Sequence, residues 1–427
     1  MPYSDQYFAN LYDLIACLIR AVDLVNPKIS IHHQQVAYMA FNLANAMQLP
    51  MDQKRTLVLA ALLHDIGSLS LDDKLGFVEE EPLTMNNHAF IGARLFGSSP
   101  FMKDVAEVIK FHHIPWNNGE GKSYRGEDVP LLSHILHLSD RIAIRVNNDE
   151  NVISQIQPIK EYIKSARDTV FPPELVDTFF GICDEEALWL ELVFRPTIFT
   201  VQNDISLQSI NLTLDETVDF TKILSQIIDF RSPFTATHSA GVAAVALKLA
   251  ELSGFSESEC KMMSIAGNLH DIGKLAIPRE ILEKTDALEP AEYDIIKSHT
   301  FYTYHLLEPI SKFEAIAQWA AYHHEKLNGH GYPFHIKADN LSLGSRIMAV
   351  ADIFTAITED RPYRKGMPKE NAEAVLGHMV ENESISQPIV SLLVDNYATI
   401  AGLRGESEER AAVDYSKILS VNCNDPK

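Results

Sequence analysis

Apolar residues recur along most of the chain at the three- and four-residue intervals typical of helices. Val242, Val245 and Leu249 occupy one such face, and Gly254 follows as a typical stop signal. The two-residue alternation of half-buried strands is scarce, and the stretch 198–201 is one of the few β-rich patches. The pattern therefore predicts an all-α fold.

The chain also contains an internal repeat of a histidine-rich motif. Leu63–Gly67 reads Leu-His-Asp-Ile-Gly, and Leu269–Gly273 reads the same. In both copies a histidine lies 32 residues before the His-Asp pair (64 − 32 and 270 − 238). A histidine pair also lies 24 residues after a further histidine (112 − 88 and 323 − 299). Such agreement in register indicates a tandem duplication. We therefore expect two domains, residues 1–195 and 212–427, joined by a linker at 196–211.

The second copy supplies five histidines and two aspartates in this register. They are His238, His270, Asp271, His299, His323, His324 and Asp352. Imidazole and carboxylate together suit Fe, Mn, Zn or Ni, and seven ligands exceed what one ion with open positions needs. We expect two ions bridged by Asp271, because its two oxygens can each take one. A water held between two such ions loses a proton near neutral pH and becomes a nucleophile for phosphate esters.

Composition narrows the choice of partners. The 427 residues include 36 basic and 58 acidic side chains, a net charge of −22. This charge disfavours long nucleic acid and anionic membranes, because Lys and Arg drive binding to both. The four cysteines are scattered, so neither a disulfide framework nor a thiolate zinc site is expected. No apolar run approaches the ~18 residues of a membrane span, and no signal-peptide pattern is evident. We expect a soluble cytoplasmic protein.

Further residues of the second copy surround its histidines in a recognisable order. The segments are Thr237-His238-Ser239, Leu269–Lys274 with Ile277-Pro278, His299, His323-His324-Glu325, Asn328–Pro333, Ala351-Asp352 and Arg361–Arg364. Over about residues 212–405 they resemble an HD-GYP domain, a branch of the HD metal-dependent phosphohydrolases. The resemblance implies a fold of two tandem HD-type helical bundles.

The same resemblance implies an enzyme that hydrolyses a 3′,5′-cyclic dinucleotide, cyclic di-GMP or 3′3′-cyclic GMP-AMP, to its linear form. It implies two divalent ions, Fe or Mn in the first place and Ni or Zn as alternatives, and it leaves a homodimer open. One ion would be held by His238, His270, Asp271 and Asp352, and the other by Asp271, His299, His323 and His324. The catalytic residues would be Asp271 and Lys274, and the substrate contacts Lys274, Tyr332, Arg361 and Arg364.

One departure from the family concerns the number of ions. Members with three metals carry a glutamate four residues before the first histidine, where this chain has Phe234. Two ions are therefore favoured over three.

The first copy keeps every ligand type but lacks the surrounding residues. Its candidate ligands are His32, His64, Asp65, His88, His112, His113 and Asp140. We prefer His32 to its neighbour His33, because only His32 keeps the 32-residue interval. Ser68 stands in place of the lysine, and the acidic run Asn147–Glu150 follows the last aspartate. This copy resembles a plain HD domain without the GYP motif. We expect a non-catalytic partner or sensor that binds metal, the alternative being a purely structural bundle.

Two other functions compete with the cyclic dinucleotide phosphodiesterase. One is a different HD phosphohydrolase acting on a nucleotide monoester or triphosphate, which the Gly331–Pro333 loop with Arg361 and Arg364 disfavours. The other is a non-catalytic signalling adaptor, which the intact ligand set and Lys274 of the second copy disfavour. A turnover assay with Mn²⁺, or with Fe²⁺ under anaerobic conditions, separates the three hypotheses.

Overall fold

The structure is a computed structural model that describes residues 8–24, 27–70, 86–194, 210–229, 237–284, 286–360 and 364–420. Helices dominate this part of the chain. Its strands form two antiparallel pairs of two residues each, Ala9–Asn10 with Asn211–Leu212 and Ser123–Tyr124 with Glu127–Asp128. The predicted all-α class is confirmed. No described helix is both long and apolar enough to cross a membrane.

The chain forms two compact units that follow the two sequence copies. The first-copy unit comprises Asn26–Leu207 with Ile418–Lys427, and the second-copy unit comprises Met1–Val25 with Gln208–Lys417. The division falls within the predicted linker at 196–211. At both ends of the chain, however, the units differ from the predicted ranges 1–195 and 212–427.

Backbone pairing explains why the first helix, α1 (Leu11–Asp23), joins the second-copy unit. Hydrogen bonds run from Phe8 N to Leu212 O at 2.7 Å and from Leu11 N to Ile210 O at 2.9 Å. The apolar face of α1 is then buried in this unit, against the 3₁₀ segment Ile272–Ala276 and the helix Pro290–Leu307, which carries His299. The sequence repeat indicates where the two copies meet along the chain. An amphipathic helix such as α1, however, belongs to the unit whose core its apolar face packs against.

The first-copy unit is a helical bundle. Its helices are α2 (Pro27–Ala46), α3 (Met51–Leu63), α4 (Asn86–Gly97), α5 (Lys103–Lys110), α6 (Leu131–Ile144), α7 (Val152–Ser165), α8 (Pro173–Ile182) and α9 (Glu186–Phe194). Every residue from Leu57 to Leu63 is buried, so the second half of α3 is apolar on all sides and forms the centre of the bundle. The 3₁₀ segment Ile66–Ser70 follows α3, packs on α4, and α4 packs on α5.

The second-copy unit repeats this arrangement. Its further helices are α10 (Leu214–Asp229), α11 (His238–Leu252), α12 (Glu257–Leu269), α13 (Arg279–Leu282), α14 (Pro290–Leu307), α15 (Glu314–Ala321), α16 (Leu343–Thr358), α17 (Lys369–Glu381), α18 (Gln387–Asp395) and α19 (Tyr397–Leu419). The packing of α11 on α12 and α16, and of α14 on α15, matches that of α2 on α3 and α6, and of α4 on α5. The two copies therefore share a helical frame.

One glycine in each copy lets the His-Asp turn lie directly against the next helix. A Cβ on Gly67 would meet the His88 carbonyl oxygen at 2.1 Å, and one on Gly273 would meet the His299 carbonyl oxygen at 1.9 Å. No side chain fits such an approach. The glycine of the repeated Leu-His-Asp-Ile-Gly motif thus holds the aspartate close to the histidine of the following helix.

Candidate metal centre

The seven predicted ligands of the second copy come from five helices and meet in one place. His238 is the first residue of α11, the His270-Asp271 pair directly follows α12, and His299 lies on α14. The pair His323-His324 directly follows α15, and Asp352 lies on α16. All of these residues except His324 are buried. Helix ends and helix faces thus bring together residues that span 114 positions of sequence (352 − 238).

The ligand atoms form two groups. In one group, atoms of His238, His270 and Asp352 all lie within 4.8 Å of one another. His238 Nε2 stands 3.1 Å from Asp352 Oδ1. In the other group, atoms of His299, His323 and His324 lie equally close together. The described residues of the second copy therefore supply two separate groups of possible ligand atoms.

Asp271 lies between the two groups. Its Oδ2 stands 3.2 Å from His270 Nε2, and its Oδ1 stands 3.5 Å from His299 Nε2 and 4.0 Å from His323 Nε2. The two oxygens therefore face different histidines, as a bridging carboxylate requires. Burial alone would raise the pKa of Asp271, but the neighbouring His270 and Lys274 hold it well below the usual range. The carboxylate is ionised and able to accept cations.

Backbone carbonyl groups orient the histidines. Nδ1 lies 2.8 Å from a carbonyl oxygen in His270, and 2.6 Å in both His299 and His323. A carbonyl only accepts, so Nδ1 carries the proton and Nε2 presents its lone pair to the centre. Burial also lowers the pKa of His299 to about 3 and that of His323 to about 4. These rings are neutral near pH 7, which is the state that binds metal.

His238 is oriented by a carboxylate instead. Glu359 Oε2 lies 3.0 Å from His238 Nδ1, and both side chains are almost fully buried. Burial would lower the pKa of His238, but Glu359 and Asp352 outweigh it and raise that pKa to about 10. A metal ion bound at this ring would therefore have to displace a proton from it. A carboxylate behind a metal-binding imidazole fixes its orientation and makes it a stronger ligand. Sequence reasoning missed Glu359, because it lies 121 residues from its partner (359 − 238) and outside the repeated pattern.

The donor set fits divalent metal ions. Among the described residues, His270 Nε2 and Asp271 Oδ1 are buried without a hydrogen-bond partner, and such atoms are costly unless a ligand satisfies them. The described centre contains imidazole and carboxylate donors without thiolate, which suits the first-row metals named above. The Nζ atom of Lys274 lies 2.6 Å from Asp271 Oδ2, and its side chain keeps 24% of its surface exposed. Lys274 therefore lies where the centre opens to solvent.

The loop after the histidine pair places Tyr332 beside His324. Glu325 is buried and accepts backbone hydrogen bonds from Phe334 N at 2.7 Å and Ile336 N at 3.0 Å. These bonds turn the loop back toward Glu325. The centre of the Tyr332 ring then lies 4.9 Å from the centre of the His324 ring. A Cβ on Gly331 would meet Glu325 Cα at 2.4 Å, so glycine is required for this close return.

The two arginine assignments both stay predictions, for different reasons. Arg364 Nη2 donates to Ala356 O at 2.6 Å, at the end of α16, so this side chain is engaged with backbone and its role toward substrate stays a prediction. Arg361 and Phe234 lie outside the described residues. Their assignments, as a substrate contact and as the mark of a two-ion centre, also stay predictions.

The first copy brings its predicted ligands together as well. Asp65 Oδ1 lies 3.1 Å from His88 Nε2, and Asp65 Oδ2 lies 3.2 Å from His64 Nε2. Asp140 Oδ1 lies 3.1 Å from His32 Nε2. The pair His112-His113 joins His88 and Asp65 in a group whose ligand atoms lie within 4.8 Å.

His33, which the sequence interval disfavoured, also reaches this cluster. Its Nε2 lies 4.0 Å from Asp65 Oδ2, and His33, His64 and Asp65 form a third group within 4.8 Å. The corresponding residue of the second copy, Ser239, instead donates to Asp229 at 2.8 Å. The first copy thus has one more imidazole at its centre.

The positive charge differs between the two clusters. Arg141 Nη2 lies 2.7 Å from Asp140 Oδ2 in the first copy, and both side chains are buried. Ser68 occupies the position that corresponds to Lys274, so the lysine that contacts Asp271 has a serine as its counterpart beside Asp65. The side chain of Asp65 is 20% exposed, whereas that of Asp271 is 4% exposed.

Comparisons with known proteins agree with this architecture. Two protein-family models, each described as an HD domain, match residues 29–145 and 222–385. A 3′3′-cGAMP-specific phosphodiesterase 1 of Vibrio cholerae is 27% identical over 92% of this chain and 93% of that protein. The phosphodiesterase 3 of the same organism is 32% identical over 67% of this chain and 61% of its own. A cyclic di-GMP phosphodiesterase of Thermotoga maritima is 35% identical, over 35% of this chain and 42% of its own.

A solved structure supports the fold over nearly the whole chain. The crystal structure of a cyclic GMP-AMP-specific phosphodiesterase of Vibrio cholerae, V-cGAP3, superposes with a TM-score of 0.60 at 22% sequence identity. The match covers 93% of this chain and 99% of that one. With the repeated helical frame and the two family matches, it follows that this protein is a member of the HD family that carries two HD domains in tandem.

Proposed function

We propose that this protein is a metal-dependent phosphodiesterase that hydrolyses a 3′,5′-cyclic dinucleotide to its linear form, and that the reaction takes place in the second HD domain. The observation that carries this proposal is the position of Asp271. It stands between two groups of histidine ligands and bears the ammonium group of Lys274 on one oxygen. A phosphodiester needs such concentrated positive charge, and in a chain of net charge −22 the charge must be local.

We propose 3′3′-cyclic GMP-AMP as the first substrate to test and cyclic di-GMP as the second. The Vibrio cholerae relative named as 3′3′-cGAMP-specific aligns with 92% of this chain and therefore with both HD domains. The relatives named for cyclic di-GMP align with much shorter stretches, about 35% of this chain in Thermotoga maritima and Pseudomonas aeruginosa. The full-length likeness favours the hybrid dinucleotide.

The proposed ligand sets follow the two groups. One divalent ion would be held by His238, His270, Asp271 and Asp352, and a second by Asp271, His299, His323 and His324. We propose Fe or Mn ahead of Ni or Zn. When bound, such ions supply Lewis acidity toward the phosphodiester and a nucleophile from water near neutral pH. The Nδ1–H groups of His270, His299 and His323 donate to backbone carbonyl oxygens, so these rings would present Nε2 to the ions.

The remaining residues position and stabilise the substrate. Lys274 lies at the solvent-facing side of Asp271, where its ammonium group can offset charge that develops on the phosphate oxygens. Tyr332 packs beside His324 and offers a ring and a hydroxyl to the nucleotide. We propose that Arg361 and Arg364 bind phosphate or the edge of a base, since a guanidinium group forms paired hydrogen bonds with either.

We propose that the first HD domain binds metal without hydrolysing the cyclic dinucleotide. Its ligand cluster is assembled, but Ser68 replaces the lysine and Arg141 is engaged with Asp140. Hydrolysis needs a positioned substrate as well as a nucleophile, and the charged groups that would position it are absent from the corresponding described places. A cytoplasmic location and a homodimer stay predictions from the sequence.

The test is turnover by the full chain of both cyclic dinucleotides, loaded with Mn²⁺ or anaerobically with Fe²⁺. We expect the linear dinucleotide as the product, at a rate that disappears with a chelator. Turnover of a nucleotide triphosphate or monoester without turnover of either cyclic dinucleotide would support a different HD phosphohydrolase. Tight binding of metal without hydrolysis of any nucleotide would support an adaptor. Either outcome would reject the proposal.

A further inference from the structure

The first HD domain contains a cavity that is separate from its histidine cluster by sequence and by lining. The cavity has a volume of about 710 Å³ and lies between α4, α5 and the strand pair at 123–128. This volume is within the range of small-molecule sites, about 300–1,000 Å³. None of the candidate metal ligands lines it. Its lining combines aromatic walls with cationic side chains.

The second copy shows why the cavity exists. Equivalent residues of the two copies differ by 211 in residue number, as the histidines 88 and 299 and the histidines 112 and 323 show. Ala93 on α4 therefore corresponds to Tyr304 on α14. The Tyr304 ring lies 5.9 Å from that of Tyr322 and 5.5 Å from that of Phe334. An aromatic side chain therefore occupies the second copy at the position where the first copy has a methyl group. The smaller residue leaves part of the space of this cavity open.

Aromatic rings form the walls of this cavity. The Tyr124 ring lies 6.2 Å from that of Phe90 and 6.4 Å from that of Phe111. The rings of Phe90 and Tyr124 are partly exposed, so a planar ligand can pack on them. Phe111 is buried in an apolar cluster against which Tyr124 packs, so the core of the unit holds the Tyr124 ring in place.

Cationic side chains accompany the rings. The charged lining residues are Arg94, Lys103, Lys110, Arg125, Glu107 and Glu127, which is a local balance of 4 − 2 = +2. Lys110 forms an ion pair with Glu127, and Lys110 Nζ lies 4.8 Å from the centre of the Phe111 ring. The guanidinium carbon of Arg125 lies 5.3 Å from the centre of the Tyr124 ring. At the equivalent positions the second copy has Glu314 for Lys103 and Ala321 for Lys110. The positive balance is specific to the first copy.

We propose that this cavity binds a mononucleotide, with its base against Phe90 and Tyr124 and its phosphate among the lysine and arginine side chains. Bases stack on aromatic rings with little dependence on sequence, and Lys and Arg are the usual partners of phosphate. The net charge of −22 disfavours a long polynucleotide at the same place. The site is distinct from the proposed centre of hydrolysis, and its occupancy does not depend on that reaction.

The experiment is photolabelling of the full chain with 8-azido-AMP, followed by mass spectrometry of the labelled peptides. We expect label on peptides that contain residues 86–97 or 103–127. Label in the second HD domain is resolved separately, because its peptides differ. Unmodified AMP should compete for the first-domain label, whereas adenosine and inorganic phosphate should each compete at least about tenfold less well.

Two substitutions transfer residues of the second copy into the first. Ala93→Tyr places an aromatic ring in the cavity and Lys103→Glu reverses one of its charges, and each should lower the first-domain label at least about tenfold. Lys164→Tyr, an exposed change on α7 away from the lining, should leave it unchanged. The proposal is overturned if both variants fold and keep wild-type labelling, or if adenosine competes as well as AMP. It is also overturned if a single-stranded oligonucleotide competes at lower concentration than AMP.

Discussion

The two HD domains share a frame and a set of ligands but place their cations differently. In the second domain Lys274 contacts Asp271, the carboxylate between the two histidine groups, and in the first domain Arg141 contacts Asp140 at the far side of the cluster. A lysine at the solvent-facing side of the central aspartate can also reach a substrate. A buried arginine beside the last ligand neutralises that ligand and remains in the core. Both copies therefore assemble the same types of candidate ligand. The copies differ in which aspartate is paired with a cationic side chain.

The same contrast extends to the groups behind the ligands. His238 is held by the buried Glu359, whereas the residue at the corresponding distance after Asp140 is Asn147, which is exposed and bonds to its own loop. A carboxylate strengthens an imidazole ligand, and a solvated amide does not. In the second domain a buried carboxylate thus supports one of the proposed metal ligands from behind, and the corresponding position of the first domain has no carboxylate.

The largest expected effect separates the two domains directly. His270→Ala combined with Asp271→Ala removes ligands of both proposed ions and should reduce turnover of the cyclic dinucleotide to background. His64→Ala combined with Asp65→Ala should leave the chemical step largely intact, because the first domain lacks the groups that position the substrate. Rates and metal content of both double variants would be measured with folding checked by circular dichroism. Loss of all activity in the first-domain variant, with its fold and second-domain metal preserved, would contradict our assignment.

The next effect concerns the cation. Lys274→Ala should lower kcat by roughly 10²–10³-fold, since one preorganised group that stabilises developing charge typically contributes that much. Metal content should not change. The matched variant Ser68→Lys places a lysine at the corresponding position of the first domain and should create no turnover in a protein whose second domain is inactivated. A Lys274→Ala enzyme with full kcat and a raised KM would show that Lys274 only binds the substrate.

A smaller effect is expected for the carboxylate behind His238. Glu359→Ala should weaken metal binding by roughly 10–100-fold, as found when such supporting groups are removed. Asn147→Ala is the control in the first domain and should leave metal affinity unchanged. Competition with a chelator, followed by elemental analysis, measures this quantity without any assay of hydrolysis. Equal metal affinity in wild type and Glu359→Ala would mean that Glu359 serves only the packing of the apo protein.

The sequence predicted the convergence of the ligands because their intervals are preserved in two copies, and a repeated interval in helices repeats a position in space. It could not reveal Glu359, whose contact with His238 depends on how the end of α16 returns to the start of α11. The choice of His32 over His33 stays a prediction: His32 lies in the cluster, but His33 also reaches Asp65 from the next position of the helix, which the repeated interval alone does not indicate. The predicted ranges place α1 in the first domain, whereas it packs in the second-copy unit. The apolar pattern of an amphipathic helix predicts which face is buried but not which core covers that face.

The last expected effect is on stability and runs in opposite directions with pH in the two domains. Burial raises the pKa of Asp229, the partner of Ser239, to about 7, and burial lowers the pKa of His33, the counterpart of Ser239, to about 3. Between about pH 4 and 7 the folded chain holds the Asp229 proton that the unfolded chain has lost, so this group's stabilisation is lost as the pH rises. Between about pH 6.5 and 3 the unfolded chain binds a proton that His33 in the folded chain does not, so that stabilisation is lost as the pH falls.

Two substitutions would isolate the pH dependence of stability that each group causes. Asp229→Asn should raise the free energy of unfolding of the second domain at pH 8 relative to wild type, by roughly 1 kcal/mol or more per unit of pKa shift that it removes, and should matter little at pH 4. His33→Ser, which copies the second domain, should help the first domain at pH 4 and matter little at pH 8. Urea unfolding of the metal-free protein at the two pH values measures both changes. A uniform effect of Asp229→Asn across this range would mean that packing, and not ionisation of the buried carboxyl group, determines the difference.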